Sequence, residues 1–510
     1  MRKWHKWAGL VLSFFFIIFA LSGIFLNHRE GISSIDIPRS YLPAGYKYDN
    51  WNNGALKGSF RLSQDSVLLY GGVGLLITDS LASDISYYEE GLKAGADNRI
   101  VGNIVRTNNG DVFSATTFDL YKLDKPNNKW SLLSQELDTD ERISDIQAQG
   151  DSLIILTRSY AFVSLYPYQQ FHKIELKAPE GYKKETSLFR FMWTLHSGEL
   201  FGMPGRLFVD MLGIVSIILC VTGIIFTFFP KIIKRRKARK KDGKPYTTVW
   251  KKSIKIHNKL GVTLLAFLLV LVLSGTFLRP PLLIAIIRAK ISTLPGTILN
   301  DDNPWFDKLR CIRYDKSEKS WILYSSEGFY QLDNFESTPK RIQSPPPVSV
   351  MGVTVFEQDE SGRWLTGSFS GVYYWDRKTG KSIDAYTLRP AIMQRGGPPV
   401  VTNAVSGYSA DFNNNITVFD YNLGARGLKL GNSFTAMPDY IKDNGRMSLW
   451  HLCLEAHVGR IYSPIIGIFS DLFVFLSGSL IISILISGYL VYRKRHKKKN
   501  IKTSNKKLYL

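Results

Sequence analysis

MRKWHKWAGLVLSFFFIIFALSGIFLNH, residues 1–28, is the stretch from which the rest of the chain can be read. Arg2, Lys3 and Lys6 precede an apolar run, Trp7 to Leu26, that contains no charged side chain. At ~1.5 Å per residue such a run spans ~30 Å, the depth of a bilayer core. No small-residue cleavage pattern follows Leu26, so the segment reads as a retained signal anchor rather than a cleaved leader. His5 marks its inner end and His28 its outer end. The pattern then returns at a constant offset without a gap: His5, Gly9, Leu21, Ser22 and Gly23 match His257, Gly261, Leu273, Ser274 and Gly275.

Three further apolar stretches are long enough to span: Leu207–Phe229, Leu260–Leu278 and a segment from about Gly467 to Tyr492. The formal net charge of +22 is concentrated beside these spans. Residues 1–6, 230–259 and 493–510 together hold 25 Lys and Arg against one acid, while the remainder holds 40 against 42. With four spans the three basic segments fall on one side, which the positive-inside tendency makes the cytoplasm. They read as topology determinants and lipid-headgroup contacts, and no nucleic-acid partner is expected. The expected order is a first transmembrane helix over 1–28, an extracytoplasmic β region over 29–195 and a second helix over 196–230. A basic cytoplasmic loop over 231–256, a third helix over 257–278, a second β region over 279–450, a fourth helix over 451–492 and a basic tail over 493–510 follow.

Both outer regions read as short strands punctuated by tight turns. Asn108–Asp111 and Gln149–Ser152 are hairpin signals, as are the acid–x–x–Gly turn before Trp364 and the turn at Lys378–Lys381. Gly71–Gly74 is too short for a nucleotide-binding glycine motif. Pro345–Pro347 and Pro398–Pro399 read as connectors. Units of 35–40 residues with strand, turn, strand, strand resemble propeller blades, and three in each region suggest one composite of six, because fewer than four blades would not close. The fold class expected is therefore a membrane α-helical protein of four internally duplicated transmembrane helices, plus an extracytoplasmic, all-β, propeller-like region.

The duplication extends to the second helix of each half. His196 and Asp210 stand fourteen apart, as do His457 and Asp471, and Thr222–Gly223 answers to Ser487–Gly488 after a four-residue insertion. Parallel repeats of this kind suggest a pseudo-twofold axis along the membrane normal. That axis would bring His5 to His257 near the inner face and His196 to His457 near the outer face. Two neutral imidazoles on facing helices are what a b-type haem needs for its axial ligands, so one or two haems b are expected. His28 is a further candidate, although its repeat position holds Pro280. Zinc is the rival metal, but the histidines lack short local spacing. Asp210 and Asp471 are the acids within the outer ends of the spans. Cys220 lies inside a span; Cys311 and Cys453 share one outer segment and are compatible with a disulfide; no CxxCH for covalent haem attachment occurs.

HxxxG…LSG in residues 4–26 and 256–278, with LHSGELFGMPGRLFVDMLG…VTG from Leu195 to Gly223, resembles the PepSY-associated transmembrane proteins. The resemblance covers the spans and their flanks. It implies a bacterial inner-membrane protein that holds b-type haem and reduces ferric siderophores on the periplasmic side. The family's interfacial histidines map to His5, His196, His257 and His457, with His28 a further candidate. The outer regions depart from the compact PepSY domains that members often carry. The inner segments contain no strand–GxGxxG–helix unit, so a cytoplasmic or quinone electron donor is required. The expected function is transfer of electrons across the bilayer to a ferric chelate. The alternative is a haem-free sensor or assembly scaffold whose outer β-structure binds a protein partner.

Overall fold

A computed structural model describes residues 1–359, 361–391, 403–412, 415–428 and 434–507, with backbone alone at 415 and from 496 onward. The chain divides into two compact units that interleave in sequence. One contains Met1–Ile32, Lys184–Asn300 and Trp450–Leu510; the other contains Ser33–Lys183 and Asp301–Leu449.

The first unit is helical. Its main elements are α1 (Arg2–Asn27), α2 (Leu188–Ser197), α3 (Gly202–Ala238), α4 (Lys244–Thr263), α5 (Leu265–Thr276), α6 (Leu449–His457) and α7 (Phe473–Lys507). Among the described residues three helical stretches are long and apolar enough to cross a membrane, Arg2–Asn27, Glu199–Ala238 and Phe473–Arg495. The pair α4–α5 passes the same test jointly but bends by 67° at Leu264. Hydroxyls that face the helix interior are satisfied locally: Ser13 Oγ donates to Gly9 O at 2.6 Å and Ser22 Oγ to Ile18 O at 2.6 Å. Ser187 caps α2 by accepting from Arg190 N, and Gly198, at φ 80°, ends it in the left-handed conformation. Pro204 falls in the first turn of α3, where no backbone donor is needed. The basic stretch expected as a loop over 231–256 is mostly helix: α3 runs on to Ala238 and α4 starts at Lys244, so about a five-residue turn connects them. The basic tail likewise continues α7 as backbone helix. The fourth helix expected from 451 is in two parts, α6 and α7, separated by an irregular segment through Gly459 and Gly467, both at positive φ.

The second unit is built from sheets whose innermost strands are β1 (Gly58–Arg61), β2 (Val101–Arg106), β3 (Ile143–Gln149), β4 (Leu309–Asp315), β5 (Val353–Gln358) and β6 (Val405–Phe412). From each, an antiparallel meander runs outward; β1 and β6 also pair in parallel at Gly58–Tyr408, which merges their sheets. Consecutive inner strands touch in the order β1, β2, β3, β4, β5, β6 and back to β1, so the order closes on itself. Apolar residues on both faces of each sheet explain why. Leu68 packs toward the β2 sheet and Val67 and Leu69 toward the β6 sheet; Leu323 packs toward the β3 sheet and Ile322 and Tyr324 toward the β5 sheet. The strands Val112–Thr116 and Trp364–Ser368 are buried throughout.

Polar side chains link the inner strands as well. Asn103 donates to Asp145 at 3.0 Å, Arg313 to Asp145 and to Glu357 at 2.9 Å, and Ser59 to Asp411. Arg313–Asp145 joins the two outer regions, and Ser59–Asp411 joins them again at the other seam. Gly71–Gly74 forms the turn of a hairpin. Pro345–Pro347 lies in the connection before β5, while Pro398–Pro399 lies outside the described residues. Cys220, Cys311 and Cys453 are free thiols; Cys311, on β4, and Cys453, on α6, belong to different units. Burial pushes the Cys311 thiol well above its ordinary range.

Candidate functional site

The helical unit brings its histidines together in two pairs. The His5 and His257 ring centroids lie 6.4 Å apart with the rings at 76°. The His196 and His457 centroids lie 5.9 Å apart at 54°. Each pair joins one histidine from each repeat.

All four imidazoles are held by one device. His5 Nδ1 lies 3.1 Å from Ile484 O and 3.2 Å from Ser487 Oγ. His257 Nδ1 lies 3.1 Å from Leu219 O and 3.0 Å from Thr222 Oγ1. His196 Nδ1 lies 2.9 Å from Leu271 O and 3.5 Å from Ser274 Oγ. His457 Nδ1 lies 2.9 Å from Ser22 Oγ, and its backbone partner is Phe19. In every case the carbonyl precedes a Ser or Thr by three residues, so both acceptors lie on one face of the helix. The hydroxyl is itself committed as a donor to a backbone carbonyl of its own helix, as Ser22 is to Ile18 O and Thr222 to Ile218 O at 2.6 Å. Each imidazole is therefore the N–H donor through Nδ1.

A glycine follows each hydroxyl residue, and the ring rests against it. A Cβ at Gly275 would stand 2.6 Å from His196 Cε1, and one at Gly488 would stand 2.8 Å from His5 Cε1. At Gly23 and Gly223 the distances to the His457 and His257 Cε1 atoms would be 3.3 and 3.6 Å. Each cradle comes from the opposite repeat: His5 docks on α7, His257 on α3, His196 on α5 and His457 on α1. Sequence reasoning marked LSG and Thr-Gly as repeat features without seeing that they are the seats of the histidines. The signal was the recurrence of Ser/Thr-Gly once for every interfacial histidine.

This arrangement fits a haem iron. An Nδ1–H bonded to a carbonyl fixes the tautomer and leaves the Nε2 lone pair for a metal. Among the described residues none of the four Nε2 atoms has a hydrogen-bond partner. Two imidazoles on opposite sides of one iron, with bonds of about 2 Å, have centroids roughly 6 Å apart. Among the described residues no group of three or more His, Cys, Asp or Glu is placed to hold a metal ion.

His28 stands apart from both pairs. Its Nε2–H donates to Asp210 Oδ2 at 2.7 Å, and Asn27 donates to Asp210 Oδ1 at 2.9 Å. The His28 Nε2, the nitrogen left unengaged in the four paired histidines, is thus engaged by a carboxylate. Asp471, the repeat mate of Asp210, faces Arg279 at 3.8 Å, and Arg279 occupies the repeat position of Asn27. His451 faces Glu455 at 3.6 Å. His172 lies in an outer strand of the β unit.

The family model of the PepSY-associated TM region matches residues 2–495. The chain belongs to this family. No curated protein matches this PepSY-associated chain. Among solved structures it is similar to the extracellular domain of BT4673 from B. thetaiotaomicron, at 11% identity and a TM-score of 0.36, over 78% of this chain and 42% of that one. It is also similar to the extracellular domain of BT3049 from the same organism, at 10% identity and a TM-score of 0.35, over 73% of this chain and 39% of that one. The chain thus spans less than half the length of those structures, and likeness at this level adds nothing to the reading of the site.

Proposed function

We propose that this chain is an inner-membrane haem-b protein that passes electrons across the bilayer to a periplasmic acceptor, a ferric siderophore or other ferric chelate. The observation that carries this reading is the pair of histidine pairs, each with Nδ1 anchored, Nε2 unengaged and a centroid separation that suits one iron. Bound haem b supplies one-electron chemistry at an iron held between two imidazoles. His5 and His257 would hold one such group, and His196 and His457 another. The protein's share is to fix each ring before the cofactor arrives, so that little side-chain freedom is lost on binding. The electron donor is cytoplasmic or a quinone.

In this reading α4–α5 is one broken span, so the chain crosses the bilayer four times. Both termini and the 239–243 turn are cytoplasmic, and 29–195 and 279–450 are periplasmic. The six meanders of the β unit, two of them merged into one seven-stranded sheet, are the blades of one propeller drawn from both outer regions. The closed order of inner strands and the apolar core at each junction support it.

The test is anaerobic. Purified protein is reduced with dithionite, freed of reductant and mixed with ferric citrate while the b-type α-band is followed. Loss of the band, with one ferrous ion trapped per electron lost, is the expected result. A protein that stays reduced contradicts a ferric acceptor. A protein with no Soret absorption contradicts haem altogether and leaves the sensor or scaffold alternative.

A further inference from the structure

His457 rests on Gly23 of α1, and His196 rests on Gly275 of α5. Four residues beyond these seats, on the side away from His5 and His257, stand Asn27 and Arg279, which the repeat makes equivalent. The chain keeps coiling past the end of α5 at Thr276, since Leu278 N bonds back to Gly275 O at 3.1 Å. At ~1.5 Å per residue the two side chains spring from backbone ~6 Å past the seats, one on each helix that cradles a ring of the pair.

The two positions are satisfied differently. Asn27 Nδ2 donates to Asp210 Oδ1 at 2.9 Å and to Ser197 O at 3.1 Å. Arg279 has no such acceptors. Its side chain is 20% exposed, and among the described residues its Nε is buried without a hydrogen-bond partner. Its Nη2 stands 3.8 Å from Asp471 Oδ1, beyond hydrogen-bonding reach, and that carboxylate is 65% exposed. The other charged groups around it are Glu455 and Arg460. Glu455 is buried and already accepts from Arg460 Nε at 2.9 Å and from Arg460 Nη2, with His451 at 3.6 Å on the same carboxylate. A buried guanidinium whose donors lack acceptors carries a desolvation cost that a bound anion removes. The cation is also one-sided, because the first repeat has Asn27 and the His28–Asp210 pair where the second has Arg279 and Pro280.

We infer that Arg279 binds a propionate carboxylate of a haem seated between His196 and His457. A haem b carries both propionates on one edge, which suits a cation present on one side of the pair only, and a guanidinium offers a carboxylate paired, charge-assisted hydrogen bonds. The inference rests on the haem reading of this pair and adds the residue that recognises the cofactor's charge. The experiment uses full-length protein in detergent carrying His5→Ala with His257→Ala, so that the outer pair alone is titrated. The apo-protein is titrated with haem b and with haem b dimethyl ester, in which both propionates are blocked, and Soret absorbance is followed.

With Arg279 in place, haem should bind at least about tenfold more tightly than its ester. Arg279→Gln should remove that preference by weakening haem while leaving the ester affinity where it was. Arg279→Lys, which keeps the charge but not the planar fork, should retain a reduced preference. The ester affinity reports an intact histidine pair, so it separates a lost carboxylate contact from a lost fold. If Arg279→Gln takes up neither ligand, Arg279→Lys carries the comparison, and a ratio unchanged from that of Arg279, or no uptake there either, overturns the inference. Equal binding of haem and ester with Arg279 in place, or a preference that Arg279→Gln keeps, overturns it too and leaves the histidine pair standing as a haem site. No uptake of either ligand with Arg279 in place overturns the haem reading of the pair and this inference with it.

Discussion

At Gly275 a single methyl group would stand 2.6 Å from His196 Cε1, closer than any relaxed contact, while at Gly223 it would meet His257 Cε1 at an ordinary 3.6 Å. The two substitutions therefore predict different outcomes from the same chemistry. Gly275→Ala should displace the His196 ring and remove about half of the b-type absorbance, one site of two, and Gly223→Ala should leave the spectrum unchanged. Difference spectra of the purified variants check this. The hydroxyls make a second case. Thr222→Val removes one acceptor from His257 Nδ1 but keeps the shape, and loss of such an outer partner typically weakens metal binding by about tenfold. A haem titration of the apo-protein should show that loss at the inner pair alone. The histidine pairing was legible in the sequence because His5 and His257 share a repeat register, as do His196 and His457. Their cradles were not, because a contact between α1 and α7 leaves no trace in the local spacing of either helix. His28 was a further candidate from its place at a span end, with Pro280 at its repeat position; the carboxylate of Asp210, far away in sequence, gives it a different partner.

Among the elements, three of the four expected spans were legible from length and apolar content as long apolar helices, while the irregularities of the helical unit were not. The bend between α4 and α5 falls at Leu264, with neither proline nor glycine at the break. The break before α3, by contrast, falls at Gly198 and Gly202, both at positive φ. The 231–256 stretch looked like a loop because its charge hid the helical continuation of α3 and α4. Its side of the membrane is testable. In a background without native cysteines, Lys240→Cys should react with an impermeant maleimide only after permeabilisation, whereas Glu180→Cys should react in intact cells. Labelling of Lys240→Cys in intact cells would contradict the orientation.

For the molecule as a whole, the duplication has a consequence in each unit. In the helical unit each of the four paired histidines sits in a cradle from the other repeat, so neither half forms a pair alone. In the β unit, Arg313 ties β4 from the second region to Asp145 from the first and to Glu357 of β5. Its side chain is only 12% exposed. Removing one partner of such a buried ion pair costs about 3–5 kcal/mol, so Arg313→Ala should lower the melting temperature of the β structure by roughly 10 °C, read by far-ultraviolet circular dichroism. Arg363→Ala, which breaks an ion pair with Asp359 within one turn and more than half exposed on the arginine side, should cost under about 1 kcal/mol. Hairpins within each sheet were readable from their turns. The seams between the two regions were not, since they rest on side chains about 170 residues or more apart.

The central claim is that each histidine pair holds one haem b. Pyridine haemochromogen analysis of the purified full-length protein counts haem per chain directly. The account predicts two, falling to one in His5→Ala with His257→Ala and to one in His196→Ala with His457→Ala. A chain that carries no haem, or a count that neither double variant changes, would contradict it.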